Sequence, residues 1–201
     1  MKKTVFMILV TVVLAASTAF AAKGFPSSLA GFTLGSDIEK YDRYCNPDKA
    51  IPVSDAPFLS EALIKGDVLP GVRGGSLSFG NCRNTGKLIR IKLKFYDRGK
   101  GFFENMLRKY EKAFGEADTY LGDAFKNVIA WEWVFKNTKG EEISLILMWS
   151  RDQEVRPGVS IKMTHESLMR AEFECYKTMD EHRRYEMKGS KIKDLDRYIP
   201  R

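Results

Sequence analysis

Hydrophobic residues follow two different periods along this chain. Between residues 88 and 96, apolar residues alternate with Arg90, Lys92 and Lys94, which predicts a half-buried antiparallel strand with one cationic face. Over 101–114, apolar residues recur every three or four positions in one stripe, which predicts an amphipathic helix. Gly115 follows the last apolar residue and fits a left-handed C-cap, so the helix should end there.

Other segments predict shorter elements. A capping box of Ser36 and Glu39 predicts a helix over 37–44. Another helix is expected from Thr164, as its N-cap, until the apolar pattern fades near Lys188. Further strands, two of them joined by a turn rich in Asn and Gly, are predicted over 76–80, 128–135, 142–149 and 159–163.

The order of elements predicts the fold class. Prolines in 46–57 and glycines in 71–75 predict loops, while 58–64 fits either a helical turn or a strand. The resulting order, α-β-β-α-β-β-β-α, predicts an α+β fold with an antiparallel sheet of about five strands and helices packed on one face. We expect a single domain over 22–188, followed by a polar, flexible tail over 189–201.

The first 21 residues have the layout of a secretory signal peptide. Lys2 and Lys3 precede an apolar run over 5–16, and the small residues Ala19 and Ala21 suit a signal peptidase that cleaves after Ala21. The alternative is an N-terminal membrane anchor, but the run is shorter than the roughly 20 residues that span a bilayer. We therefore expect a periplasmic or secreted protein that is not an integral membrane protein.

Composition and charge narrow the choice of partner. The chain is 44% hydrophobic and 29% charged, as in an ordinary globular protein. Loss of Lys2 and Lys3 with the signal peptide lowers the formal charge from +7 to +5, which favours an acidic protein or an anionic surface as partner. The sequence has no dense basic tract, so nucleic acid is not expected.

Three cysteines remain in the exported chain, where an oxidising compartment allows a disulfide to persist. We predict a bridge between Cys45 and Cys82, because both lie next to loops that adapt to bridge geometry. Such a bridge would stabilise the fold by about 3–4 kcal/mol. Cys175 would then be a free thiol on a buried helix face, or would pair with a cysteine of another chain.

The sequence offers little for catalysis. Its two histidines, His165 and His182, are not spaced with Cys175 as metal ligands, so both are predicted on the surface of a polar helix. A serine elbow and a phosphate-binding glycine loop are both missing. Glu132 stands between two tryptophans, but alternation places it on the opposite, solvated face of its strand. We predict no catalytic, cofactor or metal site, and no enzyme.

Two surfaces remain as candidates for binding. Arg90, Lys92 and Lys94 form a cationic row on one strand, and Lys162 joins them from another strand of the same face. This row could be a docking face that binds an acidic protein or an anionic surface. The alternative is an ordinary solvated sheet face. A set of aromatic residues is either core or the lining of a ligand pocket. Its members are Trp131, Trp133, Phe135 and Trp149.

Three segments of the chain resemble a known group of proteins. Residues 31–35 before a short helix, 110–115 at the end of a helix, and the hairpin 131–149 are similar to segments of small exported bacterial α+β proteins. This group includes the outer-membrane assembly lipoproteins of the SmpA/OmlA type and β-lactamase-inhibitor-like domains. The resemblance implies a binding or assembly accessory rather than an enzyme, and it transfers no functional residue. Those assembly proteins are lipid-anchored through a cysteine that this chain lacks.

These observations predict an exported, non-enzymatic binding or accessory protein that docks a protein or envelope partner through its sheet face. One alternative is a small-ligand carrier whose pocket is lined by the aromatic set. A further alternative is an enzyme whose type the motifs do not reveal.

Overall fold

The fold is built from one large antiparallel sheet and two helices, in a computed structural model that describes residues 24–152 and 158–186, without the side chains of 180–186. Helix α1 (Lys100–Phe114) lies between the two halves of the sheet in sequence, and helix α2 (Glu166–Glu186) follows the last strand. The predicted α+β class is confirmed. The predicted signal peptide and the predicted tail lie outside the described residues.

The large sheet has eight strands, where about five were predicted. In chain order they are β3 (Ile51–Val53), β4 (Ala56–Leu63), β5 (Val72–Gly80), β6 (Leu88–Phe95), β7 (Thr119–Tyr120), β8 (Val128–Lys136), β9 (Glu142–Ser150) and β10 (Val159–His165). In space the order is β3-β4-β5-β6-β10-β9-β8-β7, so the last strand joins the two halves of the sheet. A separate small sheet pairs β1 (Ser28–Leu29) with β2 (Phe32–Thr33).

Local patterns predicted several elements well. The helix predicted over 101–114 is α1, and Gly115 ends it at a φ of 78°, which favours glycine, although its ψ of −173° is not that of the predicted left-handed cap. Strands β8 and β9 agree with the predicted strands to within one residue, and the turn at 137–140 joins them as a hairpin.

Elements in the N-terminal half differ from prediction. The expected helix over 37–44 is a short 3-10 helix, Ile38–Tyr41, and Ser36 does not cap it because its hydroxyl donates to the Thr33 carbonyl instead (2.7 Å). A second 3-10 helix, Pro47–Lys49, precedes β3 within the predicted loop over 46–57. The ambiguous segment 58–64 belongs almost entirely to strand β4.

The glycine-rich segment 71–75 is not the predicted loop, because β5 begins at Val72. A Cβ atom placed on Gly75 would collide with the carbonyl oxygen of Lys92 on the adjacent strand. Glycine is therefore needed here for the close approach of two backbones, a role that its sequence context does not distinguish from loop flexibility.

Helix α1 packs on the face of the sheet that carries the largest aromatic residues, which we call the core face. Tyr110 packs edge-on against Trp133 with ring centroids 5.6 Å apart, and Phe114 packs against Phe135 at 5.1 Å. Trp133 and Phe135 are 0% and 1% exposed, so these two members of the aromatic set belong to the core. Their burial under a helix stripe is the usual means by which such a sheet is stabilised.

Helix α2 packs on the opposite face of the sheet, so the prediction that both helices pack on one face is wrong. Phe173 of α2 contacts Phe58 of β4 with ring centroids 5.6 Å apart. The opposite face has its own apolar cluster because a bulge in β6 leaves Ile89 unpaired and turns its side chain away from Ile91. Strict alternation had placed these two isoleucines on the same face.

Candidate functional site

Helix α2 covers only one end of the sheet face opposite the core face, which we call the second sheet face. Its first turn contacts Ser144 of β9, its next turn lies over Arg90 of β6, and Phe173 reaches β4. No described helix lies over the remainder, which we call the open face. The strand register places side chains from seven strands, or from residues at their ends, on the open face. They are Leu63, Ser76, Lys92, Lys94, Ser160, Lys162, Ile146, Met148, Ala130, Glu132 and Leu121.

Three of the four predicted docking residues meet on this face. Strand β10 pairs with β6, so Lys162 lies directly opposite Lys92 and next to Lys94; we call these three residues the lysine row. Arg90 lies on the same sheet face, two residues from Lys92, but α2 covers it. Its side chain is 12% exposed, lies 3.8 Å from the Asp55 carboxylate and contacts the sulfur of Met169 at 3.7 Å.

The lysine row is held without close counter-charges. None of its ammonium groups has a carboxylate of the described residues within 4.0 Å. Burial lowers the pKa of Lys162, and the nearby charge of Arg90 lowers it further. Burial, Lys92 and Arg73 likewise lower the pKa of Lys94. Partly desolvated cations without ion pairs are costly to the fold, and such arrangements are common where a ligand supplies the missing charge.

A cleft of about 280 Å³ lies beside the lysine row. Lys92, Lys162 and Ser160 line its polar side. Its other lining residues are all apolar and come from β8, β9 and the segment after β7: Leu121, Val128, Ala130, Ile146 and Met148. The cleft is therefore amphipathic, with cationic and apolar walls in contact.

Sequence reasoning missed the apolar wall, although a signal was present. Val128 and Ala130 alternate with the core residues of β8, and Ile146 and Met148 do the same in β9. A fully solvated strand face normally carries polar residues at such positions. Apolar residues on both sides of neighbouring strands therefore indicated a second contact surface.

Glu132 is an acidic residue of the open face and is not among the residues that line the cleft. It lies on the open face opposite Ile146 and Thr119, away from its neighbouring tryptophans, as alternation predicted. It is half-buried rather than fully solvated, and burial together with the charge of Glu166 raises the pKa of its carboxyl group. An anionic group is therefore favoured at the lysine row and disfavoured near Glu132.

The disulfide that fixes α2 differs from the predicted one. Cys82, in the turn between β5 and β6, pairs with Cys175 of α2 at a Cα–Cα distance of 6.0 Å. Cys45 is instead a free, buried thiol that donates to the Tyr41 carbonyl at 3.5 Å, and burial raises its pKa. The predicted Cys45–Cys82 bridge is wrong because the position of α2 over the sheet decides which thiols meet.

A buried carboxylate beside the disulfide holds the same junction. Glu172 is 0% exposed and accepts hydrogen bonds from the backbone N–H groups of Asn81 (3.0 Å), Cys82 (2.7 Å) and Asn84. A Cβ atom on Gly80 would lie 2.7 Å from its carboxyl carbon, so glycine makes room for it. This junction positions α2 and thereby limits the extent of the open face.

The histidines do not form a metal site in the part of the chain that the structure describes. His165 is not on the helix surface as predicted, because β10 extends to it; it is 8% exposed and its Nδ1 accepts from the Leu168 N–H at 3.4 Å. Burial lowers its pKa. The side chain of His182 lies outside the described residues. Among the side chains that the structure describes, in residues 24–152 and 158–179, no group of three or more potential ligands is arranged to hold a metal ion.

A larger cleft of about 590 Å³ lies near the 3-10 helices. Its walls carry Glu39, Asp42, Asp48 and Lys65 together with the buried Cys45. The ammonium group of Lys65 is already satisfied there, because it donates to the Asp42 carbonyl at 2.5 Å. Its three carboxylates outnumber its one ammonium group and disfavour an anionic ligand, so the cleft beside the lysine row is the stronger candidate for the predicted anionic partner.

Replacing Lys162 with methionine is expected to raise the free energy of unfolding at pH 7 by on the order of 1 kcal/mol, because a partly buried cation is removed. The folded pKa of Lys162 lies below its ordinary 10.5, so the unfolded chain binds more protons between those two values. The wild type therefore gains stability as pH rises through that window, and the advantage of the variant should shrink there. Urea denaturation at neutral pH and at about pH 10 measures both effects.

The matched control for this prediction is Lys139→Met in the exposed β8–β9 turn, which should change stability by less than about 0.5 kcal/mol. A variant at Lys162 that is less stable than the wild type at neutral pH would contradict the desolvation argument.

Comparison with family models, with curated proteins and with solved structures finds no match for this chain. The resemblance to SmpA/OmlA-type lipoproteins and β-lactamase-inhibitor-like domains therefore stays a prediction. Among the helices that the structure describes, none has the length and apolar character needed to cross a bilayer.

Proposed function

We propose that this protein is an exported, non-enzymatic binding or accessory protein, and that it binds an anionic partner on its open face. The observation that carries the proposal is the lysine row, three neighbouring half-buried cations with no carboxylate of the described residues within 4.0 Å. A bound anion would restore the electrostatic stabilisation that these lysines lost on burial.

The shape of the surroundings supports the same function. The apolar wall beside the lysine row gives a partner area to bury, while the cations determine its charge and orientation. Because α2 is fixed by the Cys82–Cys175 disulfide and by Glu172, the open face is also preorganised, which lowers the entropic cost of binding.

If the protein is a small-ligand carrier, its ligand pocket must lie elsewhere than among the aromatic residues where the sequence predicted it. The aromatic pocket would have to form around Trp133 and Phe135, whose rings are packed by α1. A small ligand would therefore bind in the cleft on the open face instead. The enzyme alternative has its best candidate in Glu132, whose raised pKa suits a proton acceptor, but the cleft lining contains no nucleophilic Cys or His beside it.

Site-specific photocrosslinking in the native host tests the proposal. A photoreactive residue at Met148 lies on the open face, and one at Arg108 lies on exposed α1 on the opposite side of the sheet. We expect reproducible crosslinked products from Met148 and none of the same products from Arg108. Lys92→Glu with Lys94→Glu should reduce the products from Met148 at least tenfold, since it reverses the charge that attracts the partner.

The matched control is Lys109→Glu with Lys112→Glu, which makes the same change of net charge on exposed positions of α1. Crosslinks that are equally strong from both faces, or that are lost equally with the control variant, would overturn the assignment of the open face.

A further inference from the structure

We propose that the partner bound on the open face is a single-chain anionic amphiphile, such as a medium-chain fatty acid, with its head at the lysine row and its chain along the apolar wall. This inference rests on the proposed function and specifies its ligand. It follows from the order of side chains across the strands, from the volume of the cleft and from the position of the Glu132 carboxylate at the end of one cross-strand line.

The side chains follow one another in two cross-strand lines. One line runs Lys94, Ser160, Met148, Ala130 and Leu121, and the other runs Lys92, Lys162, Ile146 and Glu132. Each line begins with a lysine on β6. The line from Lys94 continues over apolar residues on β9 and β8, whereas the line from Lys92 is apolar at Ile146 on β9 and ends at the Glu132 carboxylate on β8. A ligand that lies across the strands therefore meets a charged end first and an apolar end second, which is the polarity of an amphiphile.

The length of the apolar wall limits the length of the ligand's alkyl chain. From Lys92 on β6 to Ala130 on β8 the ligand crosses three strand spacings, or about 14 Å. This distance matches an extended medium-chain fatty acid such as decanoate or dodecanoate. The cleft volume of about 280 Å³ is also near the lower end for small-ligand sites and leaves no room for a second chain.

Charge determines which end of the ligand binds where. The ammonium groups of Lys92 and Lys162 line the cleft and have no carboxylate of the described residues within 4.0 Å, so a carboxylate or phosphate head has two donors available. Glu132 lies at the opposite end of its line and would repel an anionic head there. The alkyl chain of the ligand consequently points toward Leu121, which is 46% exposed and becomes more buried when the ligand binds.

Calorimetric titration of the purified, disulfide-bonded protein tests the inference. The probes are decanoate, dodecanoate and dodecyltrimethylammonium, each below its micellar concentration. We expect saturable binding of both acids at one site, with dodecanoate roughly tenfold tighter because two more methylenes are buried. The cationic amphiphile has the same chain and the wrong charge, so it should bind at least tenfold more weakly.

Two variants separate head from chain. Lys92→Gln with Lys162→Gln should weaken dodecanoate at least tenfold, and Met148→Gln should reduce the difference between the two acids. Lys109→Gln on α1 is the matched surface control and should leave both affinities unchanged. Thermal unfolding of each variant checks that the fold is retained, and dodecanoate binding to any folded variant can then be compared directly.

The outcomes distinguish this inference from the function on which it rests. Equal affinity for the cationic and anionic amphiphiles would overturn it, because the lysine row would then have no part in recognition. Absence of saturable binding of either acid, with crosslinks from Met148 retained, would overturn the amphiphile and leave a binding face for another anionic partner. If neither acid binds and no crosslinks form from Met148, both the amphiphile inference and the proposed binding function are overturned.

Discussion

Replacing Cys175 with serine is expected to lower the free energy of unfolding by about 4–5 kcal/mol. Cys175 and Cys82 are 93 residues apart in sequence, so their bridge closes a long loop and removes much of the conformational entropy of the unfolded chain. Urea denaturation of the wild type and the variant under oxidising conditions measures the loss. Addition of a reductant should destabilise the wild type by a similar amount and should leave the variant almost unchanged.

Cys45→Ala is the control that separates the observed disulfide from the one that the sequence predicted. Cys45 is buried and forms no disulfide, so its replacement removes packing and one weak thiol hydrogen bond and should cost about 1 kcal/mol. A peptide map without reduction should recover Cys82 linked to Cys175. A large loss for Cys45→Ala together with a small one for Cys175→Ser would instead support the Cys45–Cys82 bridge.

Replacing Glu172 with alanine is expected to lower the free energy of unfolding by about 3–4 kcal/mol. The carboxylate accepts three backbone hydrogen bonds at the β5–β6 turn, and hydrogen bonds to a charged acceptor are stronger than those between neutral groups. The variant leaves those N–H groups without their acceptor in a site where Glu172 itself is fully buried. Thermal and urea denaturation measure the loss, and hydrogen exchange at Asn81, Cys82 and Asn84 should become faster.

Glu174→Ala is the matched control, since it removes the same group from an exposed position of the same helix. Its effect should stay within about 0.5 kcal/mol. Equal losses from the two variants would show that the effect comes from the change in net charge and would contradict the role of Glu172. Because Glu172 and the disulfide hold one junction, combining their loss should be less than additive.

Both predictions bear on function as well as stability. The junction of α2 with the β5–β6 turn keeps the helix at one end of the second sheet face. Its loss would free α2 to move over the lysine row, so binding on the open face should weaken in these variants even where the sheet stays folded.

The sequence predicted part of the candidate site. Alternation along β6 placed Lys92 and Lys94 on one face, and Lys162 was expected to join them. It also grouped Arg90 with them, but Arg90 lies under α2. The apolar wall was overlooked because alternation in β8 and β9 was interpreted only for the face that carries the aromatic residues.

Short-range patterns determined the elements that depend on their own residues. The stripe of α1 and its glycine cap, the β8–β9 hairpin and the alternation of β6 are each formed by neighbours in sequence, so the chain itself specifies them. Together they were sufficient for the α+β class.

The tertiary structure alone decided which distant segments meet. The insertion of β10 between β6 and β9 brings Lys162 opposite Lys92, and the position of α2 brings Cys175 and Glu172 to the β5–β6 turn. The choice of face for each helix likewise depends on a bulge at Ile89 and on apolar residues contributed by β3 and β4. These contacts form because segments far apart in the chain bury one another's side chains. The local periodicity of hydrophobic residues does not specify which distant segments will pack together.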